Sequence, residues 1–267
     1  MIVDFHSHTN ASDGALEPAG LLALMRRRGV AIFSITDHDT MRAYDGVAVD
    51  FARVVPGVEI NTTWNGNDVH VLGYKLPLGA DTPLAKQLEA NRTFRRTRID
   101  RMLTNLAAEG YPLEVDDVLA ESDGGHAIGR PHVAKALIRK GYTPDVESAF
   151  RDLLSSGKPG YLPSTNMTPG DAVELIAAAG GVPVLAHPGR LKNEDVLPEL
   201  VERGLVGLEV FYSTHTPSQT AHFREQASRY GLVMTAGSDF HDARWNVRGV
   251  GMDVDAGDIG AFLERLG

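Results

Sequence analysis

Apolar runs of strand length alternate with helix-patterned stretches along most of this chain, and the alternation breaks once. Residues 2–5, Ile-Val-Asp-Phe, read as a short buried strand. Residues 18–28 predict a helix, with Pro18 near its start, Leu21, Leu22 and Met25 on one side, and Gly29 after its end. Residues 30–36 predict a strand, 41–53 a helix, and 54–60 another strand. Asn65-Gly66 marks a hairpin leading into a strand at 69–74.

The break comes next. Residues 82–110 form one long helical stretch, followed by short helical patterns at 116–121, 131–140 and 144–154, with no good strand between them. The alternation resumes with helices at 168–179, 194–203, 217–230 and 256–266, and strands at 182–186, 205–211 and 232–236. The expected organisation is an α/β barrel in two parts, 1–97 and 166–267, with an all-helical insertion at 98–165. About seven strands are predicted, one short of the usual eight.

The chemistry-bearing side chains gather at strand ends. His6 and His8 leave the first strand two residues apart, so both imidazoles point the same way. Asp13 follows in the turn sequence Ser-Asp-Gly. His38, Glu59, His187, Asp239 and His241 lie at or just beyond later strands. His70 sits near a strand start, but the hairpin reverses that strand. Alternating barrels carry their chemistry at the C-terminal ends of strands. Six imidazoles and three carboxylates make mixed nitrogen and oxygen sites suited to Mn, Fe or Zn. Asp37 and Asp39 flank His38, placing one of them to orient an imidazole; the other reading of Asp37 is a helix or turn cap.

Composition narrows the chemistry. Of 267 residues, none is cysteine, which excludes disulfides, thiolate metal sites and cysteine nucleophiles. A formal charge of −9 argues against a duplex nucleic-acid surface. No apolar run reaches the roughly 18 residues of a membrane span, no signal peptide precedes the first strand, and a cytoplasmic protein with no obligate protein partner is expected.

Six motifs occur in order: Phe-His-Ser-His-Thr with Ser-Asp-Gly, Ile-Thr-Asp-His-Asp-Thr, Gly-Val-Glu-Ile, Val-His-Val-Leu-Gly-Tyr, Ala-His-Pro-Gly and Gly-Ser-Asp-Phe-His. Together they resemble the polymerase-and-histidinol-phosphatase (PHP) family of metal-dependent phosphoesterases, over residues 2–241. Gly129-Arg-Pro-His132 and Ser156-Gly-Lys-Pro-Gly-Tyr161 narrow the likeness to small stand-alone members that remove the 3′-phosphate of nucleoside 3′,5′-bisphosphates; some relatives degrade short RNA from the 5′ end. The resemblance implies a distorted (β/α)7 barrel of the PHP type and two or three divalent ions, with Mn expected and Zn or Fe as alternatives. It also implies a division of ligands. His6, His8 and Asp239 would hold a first ion, Glu59 would bridge it to a second completed by His70 and His187, and Asp13, His38 and His241 would hold a third.

The expected reaction is phosphomonoester hydrolysis by a metal-bridging hydroxide, on a small phosphorylated nucleotide or short single-stranded RNA. His215, after a strand end, is the candidate acid. A second phosphate needs its own cations. Arg130 and His132 open a predicted helix, Lys158 lies in a glycine-flanked loop, and Arg92 and Arg95 share a helix face. The rival readings are a 5′-to-3′ exoribonuclease, a histidinol phosphate phosphatase and a non-catalytic metal-binding module.

Overall fold

A computed structural model describes the whole chain except residues 80, 122–128, 164, 166 and 245 and the side chains of Arg95 and Arg96. The described residues form a mixed α/β fold with two sheets. One has four strands in the order β3 (Arg53–Val54), β2 (Ile32–Phe33), β1 (Ile2–Asp4) and β9 (Met252–Asp253). The other runs β4 (Gly57–Trp64), β5 (Asn67–Tyr74), β6 (Val182–Leu185), β7 (Gly207–Tyr212) and β8 (Val233–Gly237). Parallel pairing joins β1 to β2, β2 to β3, β6 to β7 and β7 to β8; β5 is antiparallel to both of its neighbours, and β9 to β1. The hairpin turns at Asn65-Gly66, where both residues take positive φ, as a two-residue turn matching strand twist requires.

Hydrogen bonds also tie the sheets to each other. Beyond β1 and β8, Ser7 bridges Phe240, and the Phe5 N–H donates to the Ala236 carbonyl at 2.9 Å. Beyond β2, His38 bridges Glu59 of β4. The segments around His6, His38, Glu59 and Asp239 therefore join the two sheets.

Strand alternation sorts the side chains. On β4, Val58 and Ile60 pack outward against α6 (Pro169–Ala178), while Glu59 and Asn61 face the opposite side. Val69 and Val71 of β5 join the same outer core, as do Leu197 and Leu200 of α7 (Val196–Glu202) and Phe223 of α8 (Pro217–Tyr230). The inner core stacks Phe5, Tyr74 and Phe262 edge to face, with centroids 4.9–6.1 Å apart; Phe262 comes from α9 (Ala256–Leu266) and fills the end away from the histidines. A third cluster, with Leu21 and Met25, lies between α1 (Pro18–Arg28) and the first sheet.

The strandless stretch has its own core. Ile99, Met102 and Leu106 of α2 (Pro83–Ala108) pack with Val118 of α3 (Val115–Leu119), Val133 and Leu137 of α4 (Arg130–Arg139), and Ala149 of α5 (Val146–Ala149). Position 98 falls inside α2, and the Arg98 Nε–H donates to the Leu162 carbonyl at 2.9 Å, tying that helix to the returning chain. Among the described residues, no helix is long and apolar enough to cross a membrane.

Two expectations need correction. Nine strands are described, not seven, because Arg53–Val54 and Met252–Asp253 add short pairings at the first sheet's edges. The helix expected over 41–53 is a single 3-10 turn, Arg42–Tyr44. The Tyr44 hydroxyl is drawn inward, its one proton donated to the Ile35 carbonyl (2.6 Å) with the Val55 carbonyl at 3.1 Å, and it accepts from the N–H groups of Ile35 and Gly57. This anchors the segment by a side chain, and Asp45-Gly46 turns it away before a second helical turn can form.

Candidate metal centre

The alternation that buries Val58 and Ile60 on one face aims Glu59 at the other, among five segments that carry six histidines. Its Oε2 lies 3.2 Å from His6 Nε2, 3.2 Å from His8 Nε2 and 3.1 Å from His38 Nδ1. Its Oε1 lies 2.8 Å from His70 Nδ1 and 3.1 Å from His187 Nε2. Asp239 Oδ1 faces the same His6 and His8 atoms at 3.3 and 3.2 Å. Asp13 lies beyond them, 3.3 Å from His241 Nε2, 3.6 Å from His38 Nε2 and 3.7 Å from His8 Nδ1.

These atoms make three groups, each compact enough for one ion: His6, His8, Glu59 and Asp239; His38, Glu59 and His70; and His8, Asp13, His38 and His241. His187 adjoins the second group through Glu59 Oε1. All nine residues named from sequence are thus brought together. His8 and His38 each stand in two groups, so the geometry shares them where the resemblance implies one ion apiece.

Hydrogen bonding alone leaves the cluster unsatisfied. His6 Nε2, both ring nitrogens of His8, His38 Nδ1 and Glu59 Oε2 are buried with no hydrogen-bond partner. Buried polar atoms are normally paired, and six imidazoles with three carboxylates at these separations are a donor set for divalent ions. Burial alone would raise Glu59, but the imidazoles of His38, His6 and His70 outweigh it and hold the carboxyl well below its ordinary value. Asp239 and Asp13 are held low in the same way by His6 and His241 and by His241 and His38. Burial would lower His8, yet the Asp239 and Glu59 carboxylates, each 3.2 Å from its Nε2, hold it up at about 10.

The backbone is strained where it carries these groups. His187 (φ +25°), Asp239 (φ +52°) and Asp39 (φ +53°) all lie in the left-handed region that non-glycine residues seldom adopt. Buried carboxylates hold the surrounding loops. Asp37 accepts from the Thr9 N–H (2.7 Å), the Thr9 hydroxyl (2.6 Å) and the Ser12 hydroxyl (2.6 Å), and so clamps the loop between His8 and Asp13. Asp4 accepts from the N–H and hydroxyl of Ser238, beside Asp239. Asp39 accepts from the amide groups of Asn61 and Asn91.

A cavity of about 520 Å³ opens over the cluster. The helical insertion supplies part of its wall through Pro131, His132 and Lys135. Arg190, Tyr212 and Arg244 also line it and were not singled out from sequence. Arg190 donates to Asp239 Oδ2 at 3.0 Å and to the Tyr212 hydroxyl at 3.2 Å; the Tyr212 hydroxyl donates to the same Asp239 oxygen at 2.7 Å. Arg190 also lines a neighbouring cavity of about 240 Å³. Its signal was its place directly after the Ala-His-Pro-Gly motif.

The other residues named for substrate and acid roles are scattered. His132 reaches the main cavity, with its Nδ1 accepting from the Gly129 N–H at 3.0 Å. Arg130 lines the neighbouring cavity instead, ion-paired with Asp68 and lying over the Tyr161 ring at 5.4 Å. Lys158 is exposed in a turn and lines neither cavity. Arg92 donates to the Thr40 hydroxyl at 2.9 Å, pairs with Glu89, and lines a separate cavity. The Arg95 side chain lies outside the described residues. His215 is not brought to the cavity. Its Nδ1–H donates to the Val210 carbonyl and its Nε2 accepts from the Gly189 N–H, so both ring nitrogens are engaged by backbone.

No family model matches the chain. A 3′,5′-nucleoside bisphosphate phosphatase of Chromobacterium violaceum is 34% identical over 265 residues, covering 95% of this chain and 92% of its own length. A phosphoribosyl 1,2-cyclic phosphate 1,2-diphosphodiesterase of Eggerthella lenta is 33% identical over 96% of this chain and its own full length. The 5′-3′ exoribonuclease Rnm of Salmonella typhimurium is 30% identical, over 90% of this chain and 85% of its own. Among solved structures, an amidohydrolase from Chromobacterium violaceum superposes with a TM-score of 0.84 at 31% identity, covering 98% of this chain and 95% of that one. A Bifidobacterium adolescentis protein assigned as a metal-dependent phosphoesterase gives 0.79 at 30% identity, with 98% and 95% covered. At this identity over nearly the whole length, the chain belongs to the PHP family of metal-dependent phosphoesterases.

Proposed function

We propose that this phosphoesterase removes the 3′-phosphate of nucleoside 3′,5′-bisphosphates. The observation that carries the reading is the convergence of nine ligand-type side chains, seven of them lining a cavity whose walls also hold Arg190, Lys135 and Arg244 and the other two, His6 and His8, buried beneath it. Those nine side chains would hold ions facing the phosphoryl group being cut, and the wall cations would face a second phosphate. The 34% identity to a nucleoside bisphosphate phosphatase supports the same substrate class.

In this reading, the two sheets with their joining bridges form one distorted ring of seven strands, β1, β2 and β4 to β8. Residues 1–97 and 166–267 build it, and 98–165 roof its catalytic end. His6, His8, Glu59 and Asp239 would hold one ion, Glu59 with His70 and His187 a second, and Asp13, His38 and His241 a third, with Mn the expected metal. When bound, such ions supply Lewis acidity toward phosphoryl oxygens and lower the pKa of a coordinated water. Tyr212 and Arg190 brace Asp239 from behind, and the remaining guanidinium N–H groups of Arg190 are available to a phosphate oxygen at the junction of the two cavities. His132 and Lys135 close the cavity from the insertion. The second phosphate points toward the neighbouring cavity, where Arg130 and Lys192 stand.

The test is a substrate comparison with Mn-supplemented protein. Adenosine 3′,5′-bisphosphate should yield AMP and phosphate with the highest kcat/KM, and AMP should persist. Faster turnover of 5′-phosphorylated oligoribonucleotide, of a ribose 1,2-cyclic phosphate or of histidinol phosphate would replace the reading with that activity.

A further inference from the structure

Glu209 is a fully buried carboxylate on β7 that is not among the nine ligands. Its Oε1 and Oε2 lie 3.0 and 3.2 Å from His6 Nδ1, and Oε2 also accepts the His187 N–H at 2.7 Å. Space for it comes from the next strand. A Cβ on Gly237 would stand 2.3 Å from Glu209 Oε1 and 2.3 Å from the His6 Cβ, a separation no side chain tolerates. Three strand ends therefore meet at one carboxylate.

The chemistry of that contact is directional. An ionised carboxylate only accepts, so the imidazole nitrogen facing it carries the proton. With Nδ1 protonated, the lone pair of His6 lies on Nε2, the atom that faces Glu59 and Asp239 and has no hydrogen-bond partner. At His187, the bond to the N–H holds a peptide whose φ of +25° is costly for a non-glycine residue.

We propose that Glu209 is the positioning residue of this centre: it sets the tautomer of His6 and holds the backbone that aims His187. It rests on the reading of His6 and His187 as metal ligands. Because those two residues serve the ions that share Glu59, Glu209 controls those sites and not the one formed by Asp13, His38 and His241.

The test is Glu209→Gln. Glutamine keeps the size, but it has one carbonyl oxygen for two donors, and its amide N–H groups confront whichever donor is left. Metal-free wild type and variant are titrated with Mn(II), and bound ions are counted by elemental analysis. The variant should bind the ions at the Glu59 sites ten- to a hundredfold more weakly, the usual cost of losing a ligand's outer partner. One ion per chain should bind as in the wild type. In a 15N-histidine spectrum of the Zn(II)-loaded wild type, His6 should carry its proton on Nδ1, a result that stands even where the variant fails to fold. Wild-type affinity at every site of Glu209→Gln, equal weakening at all of them, or a His6 proton on Nε2 would overturn the proposal. A wild type that binds no divalent ion would overturn the ligand reading and this inference together, whereas intact binding with the variant unaffected would remove Glu209 alone.

Discussion

At the scale of the residue, Glu59 is the hub. Its two oxygens face five imidazoles, so no other side chain in the cluster touches as many candidate ligands. Glu59→Gln should lower the metal content by at least one ion per chain, measured by elemental analysis. It should cut kcat/KM by more than the roughly hundredfold that follows loss of a ligand's outer partner. A second expectation concerns protons. In the metal-free cluster, burial opposes the charged form of His8, but Asp239 and Glu59 hold its pKa at about 10, above the ordinary 6.5. That proton stabilises the metal-free fold fully below pH 6.5, and its contribution is lost as pH rises toward 10. Metal must displace it, so binding should release protons and tighten with rising pH across that window. Calorimetric titration at neutral pH in buffers of different ionisation enthalpy measures the release; none would mean that His8 binds no metal or is already neutral. That these nine positions come together was legible because each lies in a short motif, most of them at or just beyond a strand end, with Glu59 and His70 inside β4 and β5. Glu209 was legible in principle, since Gly-Leu-Glu-Val repeats the pattern of Gly-Val-Glu-Ile around Glu59. What separates the two is which strands meet them, and that is set by packing.

At the scale of the element, α4 carries most of the insertion's contribution to the cavity, with Glu121 adding the rest. Pro131, His132 and Lys135 line the metal cavity, while Arg130, one position earlier, lines its neighbour. Sequence spacing placed all of these near a helix start without saying which cavity each would face, because the turn of the helix and its seat against α3 and α5 decide that. The same limit applies to Arg92, which its helix turns toward Thr40 and a different cavity. His215 stood after a strand end as a catalytic group would, but the backbone of Val210 and Gly189 takes both of its nitrogens. For Arg130→Ala, turnover of a bisphosphate should fall by about 1.5–3 kcal/mol, the range for a charged hydrogen bond, or roughly ten- to a hundredfold in kcat/KM. Hydrolysis of 4-nitrophenyl phosphate should change much less. Equal losses on both substrates would place Arg130 at the reacting phosphoryl group, and no loss on either would remove it from recognition.

At the scale of the whole molecule, the cluster is also the seam of the fold. His6, His38 and Asp239 lie in the segments whose hydrogen bonds join one sheet to the other. Asp13, Glu59, Glu209 and Asp239 bring four carboxylates to one region, three of them almost fully buried, and divalent ions would offset that charge. Ions that bind only the folded state at a thousandfold excess over their Kd stabilise by about 4 kcal/mol each. Chelation should therefore lower the melting temperature by on the order of ten degrees per ion lost. Scanning calorimetry with and without EDTA measures this, and an unchanged transition would mean that the seam holds without metal. The α/β alternation and its single helical interruption were plain in sequence because they depend on local periodicity. The two added edge strands and the missing helix at 41–53 were not, because each depends on a distant partner: Met252 pairing with Val3, or the Tyr44 hydroxyl reaching Ile35 and Val55.

A cluster of ions held by nine side chains is tested most directly by anomalous X-ray diffraction from crystals of the Mn-loaded protein. Two or three anomalous peaks are expected. One should lie between His6, His8, Glu59 and Asp239, a second beside Glu59, His70 and His187, and, when three are bound, a third among Asp13, His38 and His241. A single peak, or peaks away from these side chains in fully loaded crystals, would contradict it.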